Sequence, residues 1–184
     1  GTIGDITGDF IGNTASFYDY SSASGGAISN NGTIGNITGD FIGNSVSSSD
    51  DDDGNNYSEG GAIYNRGTIG NITGNFIGNS STSEGGAIYN SYDSAIGNIT
   101  GDFIRNTASW GGAIYNKGTI GNITGNFIGN TASASGSGAI SNKGTIGNII
   151  GDFIGNTAGS EGGAIYNKGT IGDITGDFIG NTAG

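Results

Sequence analysis

Residues 144–168 read GTIGNIIGDFIGNTAGSEGGAIYNK, and edited copies of this stretch fill the rest of the chain. The copies open at Gly1, Gly32, Gly67, Ser94, Gly118, Gly144 and Gly169, so successive starts lie 31, 35, 27, 24, 26 and 25 residues apart. Self-similarity at such a period marks a repeat architecture, in which each unit buries its apolar face only by stacking on its neighbours. The expectation is one domain over residues 1–184, a segment of a longer repeat array or filament.

Glycine decides what each unit folds into. It interrupts every copy at intervals of a few residues, and each glycine costs about 1 kcal/mol in a helix interior relative to alanine. The longest stretch without glycine, residues 13–24, carries no apolar period of 3.6. What remains is short β segments joined by bends. In the sixth copy the pattern predicts three strands, at 145–150, 152–156 and 164–167, with Gly147, Gly151, Gly155 and Gly162-Gly163 at the bends. Three strands in roughly 25 residues make one coil of an all-β parallel β-solenoid. Seven coils at about 4.8 Å each give a rod roughly 30 Å long.

Stacked coils turn repeated residues into columns. Phe10, Phe41, Phe76, Phe103, Phe127, Phe153 and Phe178 form an aromatic column expected inside, each ring contributing roughly 1.5–3 kcal/mol by burial. Three residues on, Asn13, Asn44, Asn79, Asn106, Asn130, Asn156 and Asn181 form a column whose amides can bond one another at a corner. Aliphatic columns headed by Ile3 and Ile28 should also point inward. The residue after the second is Tyr64, Tyr89, Tyr115 or Tyr166 in four copies and Ser29 or Ser141 in two, a tolerance expected of an outward position. Ile11, Ile42, Ile77, Ile104, Ile128, Ile154 and Ile179 follow the phenylalanines directly. Strict alternation makes them an outward apolar stripe suited to lateral packing, while a bend at the next glycine brings them into the core.

FxxN followed about ten residues later by GGAI resembles the repeats of the chlamydial polymorphic outer membrane proteins and related autotransporter passengers. FxxN occurs in all seven copies and GGAI in five of six, with Ser137-Gly138-Ala139-Ile140 the departure. The resemblance covers essentially the full chain. It implies a right-handed parallel β-helix displayed outside the cell, in families associated with adhesion.

Composition narrows the chemistry. Neither cysteine nor histidine is present, which removes disulfides, thiolate sites and the commonest metal ligand and general base. Sixteen acidic against five basic residues give a net charge of −11, which repels phosphate backbones and anionic headgroups, so neither nucleic acid nor a membrane surface is expected as a partner. No apolar run reaches the ~20 residues that span a bilayer. Asp9, Asp40, Asp102, Asp152 and Asp177 line one column, but catalysis needs a local constellation. No enzyme is expected. Thr7, Thr38, Thr73, Thr100, Thr124 and Thr175 form one outward threonine rank, broken by Ile150, where an ice-binding array needs two. N-I-T sequons at Asn36, Asn71, Asn98 and Asn122 read as by-products of the repeat.

The copies differ most between FxxN and GGAI, and the loops at 14–24 and 45–59 are the longest. Phe17, Tyr18, Tyr20, Tyr57 and, two coils later, Trp110 are the candidate ligand contacts there. The competing reading is neutral insertion, which is cheap on a solenoid flank. Asp50, Asp51, Asp52 and Asp53 read as a solvated acidic loop; they offer oxygen ligands to Ca²⁺ without the spacing of a calcium loop. Two functions compete. One is an extracellular or cell-surface rod or fibre component that binds itself through uncapped ends and side-chain ladders. The other is an adhesin segment whose loops at 14–24 and 45–59 bind a cell-surface glycan or protein.

Overall fold

A computed structural model describes residues 1–17, 22–48, 57–134 and 136–184. Every sheet in it is parallel, and among the described residues there is no helix. Four sheets have seven strands, one has six and one has two, and each strand pairs with its counterparts one coil before and after. The chain is a parallel β-solenoid of about seven coils. Registers are nearly homotypic: Phe103 opposes Phe127, Ile99 opposes Ile123, and Asn90 opposes Asn116.

The coil has more strands than the sequence pattern predicts. In the sixth copy they are Thr145–Ile146, Ile149–Ile150, Phe153–Ile154, Thr157–Ala158 and Ile165–Asn167, five in place of three. Gly-Asn or Gly-Asp falls between consecutive two-residue strands and turns a corner each time. A third inward aliphatic column follows from this, with Ile37, Ile72, Ile99, Ile123 and Ile149 all fully buried beside Ile34, Ile69, Ile96, Ile120 and Ile146. Thr157–Ala158 belongs to a seven-stranded ladder and not to a loop. Its inward column runs through Val46, Ser81, Ala108, Ala132 and Ala158.

The core is continuous from coil to coil. Phe41, Phe76, Phe103, Phe127 and Phe153 are fully buried. From Phe10 to Phe178 the rings stack with centroids 4.6 to 4.8 Å apart and planes within 8° of parallel. The strand spacing imposes that distance. In the first and last coils burial fades: Ile3 is 54% exposed and Phe178 53%.

Corners are closed by side chains wherever the ladder bonds lapse, since buried backbone N–H groups need partners. Asn130 is typical of the FxxN corner: its Nδ2 donates to Phe103 O and Asn156 Oδ1, while its Oδ1 accepts from both the backbone N–H and the Nδ2 of Asn106. A second asparagine column links Asn30, Asn65, Asn90, Asn116, Asn142 and Asn167, amide to amide, at 2.8 to 2.9 Å. The aspartate column has the same duty, Asp102 Oδ1 accepting from the Asn126 N–H at 2.7 Å and Asn126 Oδ1 from the Asp152 N–H at 2.9 Å.

At the corner just before each phenylalanine strand after the first, glycine is held by contact. A Cβ on Gly101, at φ 149°, would lie 2.0 Å from the Gly74 carbonyl oxygen of the adjoining coil. The FIGN glycines differ, because around Gly78, at φ 62°, the space is open. Arg105 stands in that column with φ 52° and takes the left-handed conformation without being glycine.

Candidate functional site

The seven isoleucines after the phenylalanines stand on the outer side of their strands. Ile42, Ile77, Ile104, Ile128 and Ile154 are half-buried by their column neighbours and lie outside the core cluster, and Ile11 and Ile179 are 64% and 53% exposed. The glycine that follows does not turn them inward. They form one apolar stripe along the rod.

At the variable corner the first two inserts are partly strand. Thr14–Phe17 pairs with Ser45–Ser48, and Ala23–Ser24 pairs with Ser58–Glu59. The arch is braced inside, where Ser58 Oγ donates to Ser48 Oγ at 3.1 Å. Phe17 is about half exposed in the first coil, across from Ser48. Tyr57 is also about half exposed, and Trp110 is half-buried. Tyr18, Tyr20, Asp50, Asp51, Asp52 and Asp53 lie outside the described residues. The structure thus brings Tyr57 and Trp110 to one edge of the rod and leaves Phe17 on the facing strand.

That edge carries a cluster the repeat does not. Bridges place Glu84 between Glu59 and Trp110 in neighbouring coils. Beside this row runs a tyrosine stack, with Tyr64 and Tyr89 rings 5.4 Å apart and Tyr89 and Tyr115 rings 5.8 Å apart. The tyrosines point away from the solenoid core, as an outward position should, yet Tyr89 and Tyr115 are almost wholly buried. Lys117 supplies part of the cover. Its ammonium donates to Glu84 Oε2 at 3.1 Å and to Tyr89 Oη at 2.9 Å, and lies 5.0 Å from the ring centres of both Tyr89 and Tyr115. The amine is neutralised by a carboxylate and seated between two aromatic faces.

The electrostatics follow from burial. Desolvation raises the Glu59 carboxyl above its ordinary value, Glu84 adds to the rise, and a hydrogen bond with Tyr89 opposes it. Desolvation also pushes the Tyr89 and Tyr115 hydroxyls well above the usual tyrosine range, with Glu59 reinforcing the first and Glu84 the second. The cluster spends its polar groups on one another and clamps three consecutive coils on their outer side. Among the described residues no group of three or more acidic side chains is arranged to hold a metal ion.

The tyrosine stack stops at Ser141, which opposes both Tyr115 and Tyr166 in register. Ser137 Oγ and Ser141 Oγ are buried there without hydrogen-bond partners. Two residues nearby depart from the repeat altogether. Between Asn90 and Ala95 the fourth coil holds four residues where the third holds Arg66 and Gly67 alone between Asn65 and Thr68. The additions, Tyr92 and Asp93, stand out from the surface. The sequence showed the extra length but gave no sign of what it faces.

Three segments, residues 73–91, 100–117 and 152–168, match the family described as Chlamydia polymorphic membrane protein (Chlamydia_PMP) repeat. The matched segments together make up under a third of the chain. Each runs from an FxxN corner through the tyrosine strand, so the matched segments include Phe76, Phe103 and Phe153 with the asparagines of their own coils, and also Glu84, Trp110 and Lys117. Tyr92 and Asp93 fall in the gap between the first two repeats. No curated protein and no solved structure matches the chain.

Proposed function

We propose that the chain is a stretch of a cell-surface passenger rod of the autotransporter kind, a structural β-solenoid that holds contact residues away from the surface bearing it. The observation that supports this is the succession of nearly homotypic parallel ladders from coil to coil, together with the three segments that match the polymorphic membrane protein repeat. Bending such a rod has to stretch rows of hydrogen bonds and open the phenylalanine stack together. It therefore holds its length while its edges vary.

The second reading, contact with a glycan or protein on another cell, draws on Tyr57 and Trp110 at one edge beside the Glu59–Glu84 row. The half-buried isoleucine stripe supports lateral association with a further copy of the rod. Protease shaving tests the surface placement. Protease added to intact producing cells should release fragments of these coils without lysis. Coils protected until the cells are broken would refute surface display. Negative-stain images of the purified chain then separate single rods from laterally paired ones.

A further inference from the structure

The Tyr92–Asp93 insertion has no part in the ladders and borders the clamp only at Lys117. Its flanks stay in register, Asn90 with Asn65 and Ala95 with Thr68, so the two added residues bulge outward without disturbing the strands. The bulge is held from beneath. Ser94 is buried, with Oγ 2.7 Å from Asn90 Oδ1 and 2.6 Å from Ser91 O. Asp93 takes a left-handed turn, φ 57°, which aspartate tolerates better than most residues. Tyr92 is left 63% exposed, its ring 5.6 Å from the Lys117 ammonium.

The bulge raises one wall of a groove beside the threonine rank; a hollow at the equivalent place between the first two coils, lined by Thr2, Asn31, Gly32 and Thr33, has no such aromatic wall. Tyr92 and Asp93 form the wall, Ala95 and Gly118 the floor, and Lys117, Thr119 and Thr145 also line it. At Ala95 the rank loses its threonine, which removes a hydroxyl and a methyl from the space beside Tyr92. Thr119 and Thr145 oppose each other in register and carry the groove along the rod by one coil, about 4.8 Å.

We propose that this groove binds a neutral saccharide, with one sugar ring stacked on Tyr92 and the next units lying along the rod over Thr119 and Thr145. The inventory fits a ring that is apolar on its faces and hydroxylated at its edge. Tyr92 offers a stacking face and Asp93 accepts hydrogen bonds. The two threonines both donate and accept, and Lys117 keeps one N–H after serving Glu84 and Tyr89. Other ligand classes fit worse. An extended peptide has no free edge to join, since Ala95–Ile96 is paired on both sides. A polyanion meets Asp93 and a chain of net charge −11, while the nearby ammonium is already neutralised by Glu84. The assignment stands on the groove alone and does not depend on surface display.

The test is binding of the full chain to immobilised hexasaccharides of β-1,4-linked glucose and of β-1,4-linked N-acetylglucosamine, with sulfated heparin hexasaccharide alongside. The wild-type chain should bind one or both neutral probes. Tyr92→Ala should lose about tenfold or more, the loss of one aromatic stacking partner, while Tyr92→Phe stays within about threefold of wild type. Both variants should unfold at the wild-type urea concentration, because the ring is mostly exposed. Asp93→Asn, which keeps the turn, should weaken binding without abolishing it. Binding to neither neutral probe, binding to heparin alone, or neutral-probe binding indifferent to Tyr92→Ala would each overturn the proposal.

Discussion

Asn130→Ala is the sharpest test of what holds the coils together. Asn130 is fully buried, and its side chain makes four hydrogen bonds. Truncation leaves two groups in the interior without a partner, the Asn106 backbone N–H and one N–H of the Asn106 amide, whereas the Phe103 carbonyl keeps its place in the ladder with the Phe127–Ile128 strand. Asn156 Oδ1 is spared, because it also accepts from the Asn130 backbone N–H. At about 1–3 kcal/mol for each orphaned group, with some relaxation, the cost should be about 2–5 kcal/mol. Asn13→Ala is the control. Asn13 is exposed, its side chain only donates to Asn44 Oδ1, and that oxygen keeps the Asn13 backbone N–H. It should cost less than about 1 kcal/mol. Equilibrium urea unfolding followed by far-ultraviolet circular dichroism measures both. Equal losses at the two sites would refute the reasoning, since chemistry is constant and only position in the ladder differs. Asn130→Asp keeps the acceptor for Asn106 but turns carboxylate oxygen toward Phe103 O and Asn156 Oδ1, so at neutral pH it should be no milder than alanine.

Arg105→Gly should stabilise the chain by about 0.5–1 kcal/mol, the left-handed strain relieved less the extra freedom of glycine when unfolded; an unchanged or lower urea midpoint would argue against strain at that corner. Gly101→Ala should cost at least about 3 kcal/mol, because its Cβ meets a backbone carbonyl that cannot move alone, whereas Gly78→Ala, with open space around it, should cost about 1 kcal/mol. Thermal unfolding of the pair would show the contrast. Because the folded chain holds the Glu59 proton more tightly than the unfolded chain does, its contribution is fully present below the ordinary value of 4.5 and falls as pH rises through the higher folded value. Glu59→Gln should therefore match or exceed wild type at pH 7 and show a shallower decline in urea midpoint from pH 4 upward. Ser141→Ala removes a buried hydroxyl with no partner and should be neutral or stabilising by about 1 kcal/mol, whereas Ser58→Ala breaks the brace to Ser48 and should destabilise.

The columns were legible in the sequence wherever one residue type recurs at one place in the period, as Phe103 and Asn106 do. The third isoleucine column was hidden by geometry. Ile146 and Ile149 are three apart, so strict alternation puts them on opposite faces; the Gly147-Asn148 corner between them resets the direction and turns both inward. Thr157–Ala158 was obscured in another way, since alanine is too small to announce an inward position. The Glu59–Glu84–Trp110 row joins residues separated by 25 and 26 positions in coils of unequal length, and only the register aligns them. Burial of Tyr89 and Tyr115 depends on Lys117 folding back one coil, which no local pattern encodes.

Homotypic registers also bear on how such a chain can change over generations. Where each coil meets its neighbours through the same residues, whole coils can be gained or lost by unequal recombination without leaving mismatched surfaces behind. The Glu59, Glu84 and Lys117 clamp withdraws its three coils from that freedom, for removing the middle one discards both a carboxylate and the tyrosine that Lys117 holds. The fifth coil is under no such restraint. Excision of residues 118–143 would join Lys117 to Gly144, keep every asparagine column, and bring Tyr166 next to Tyr115 in place of Ser141. Length in this rod is therefore a heritable variable on one side of the clamp and a fixed quantity within it.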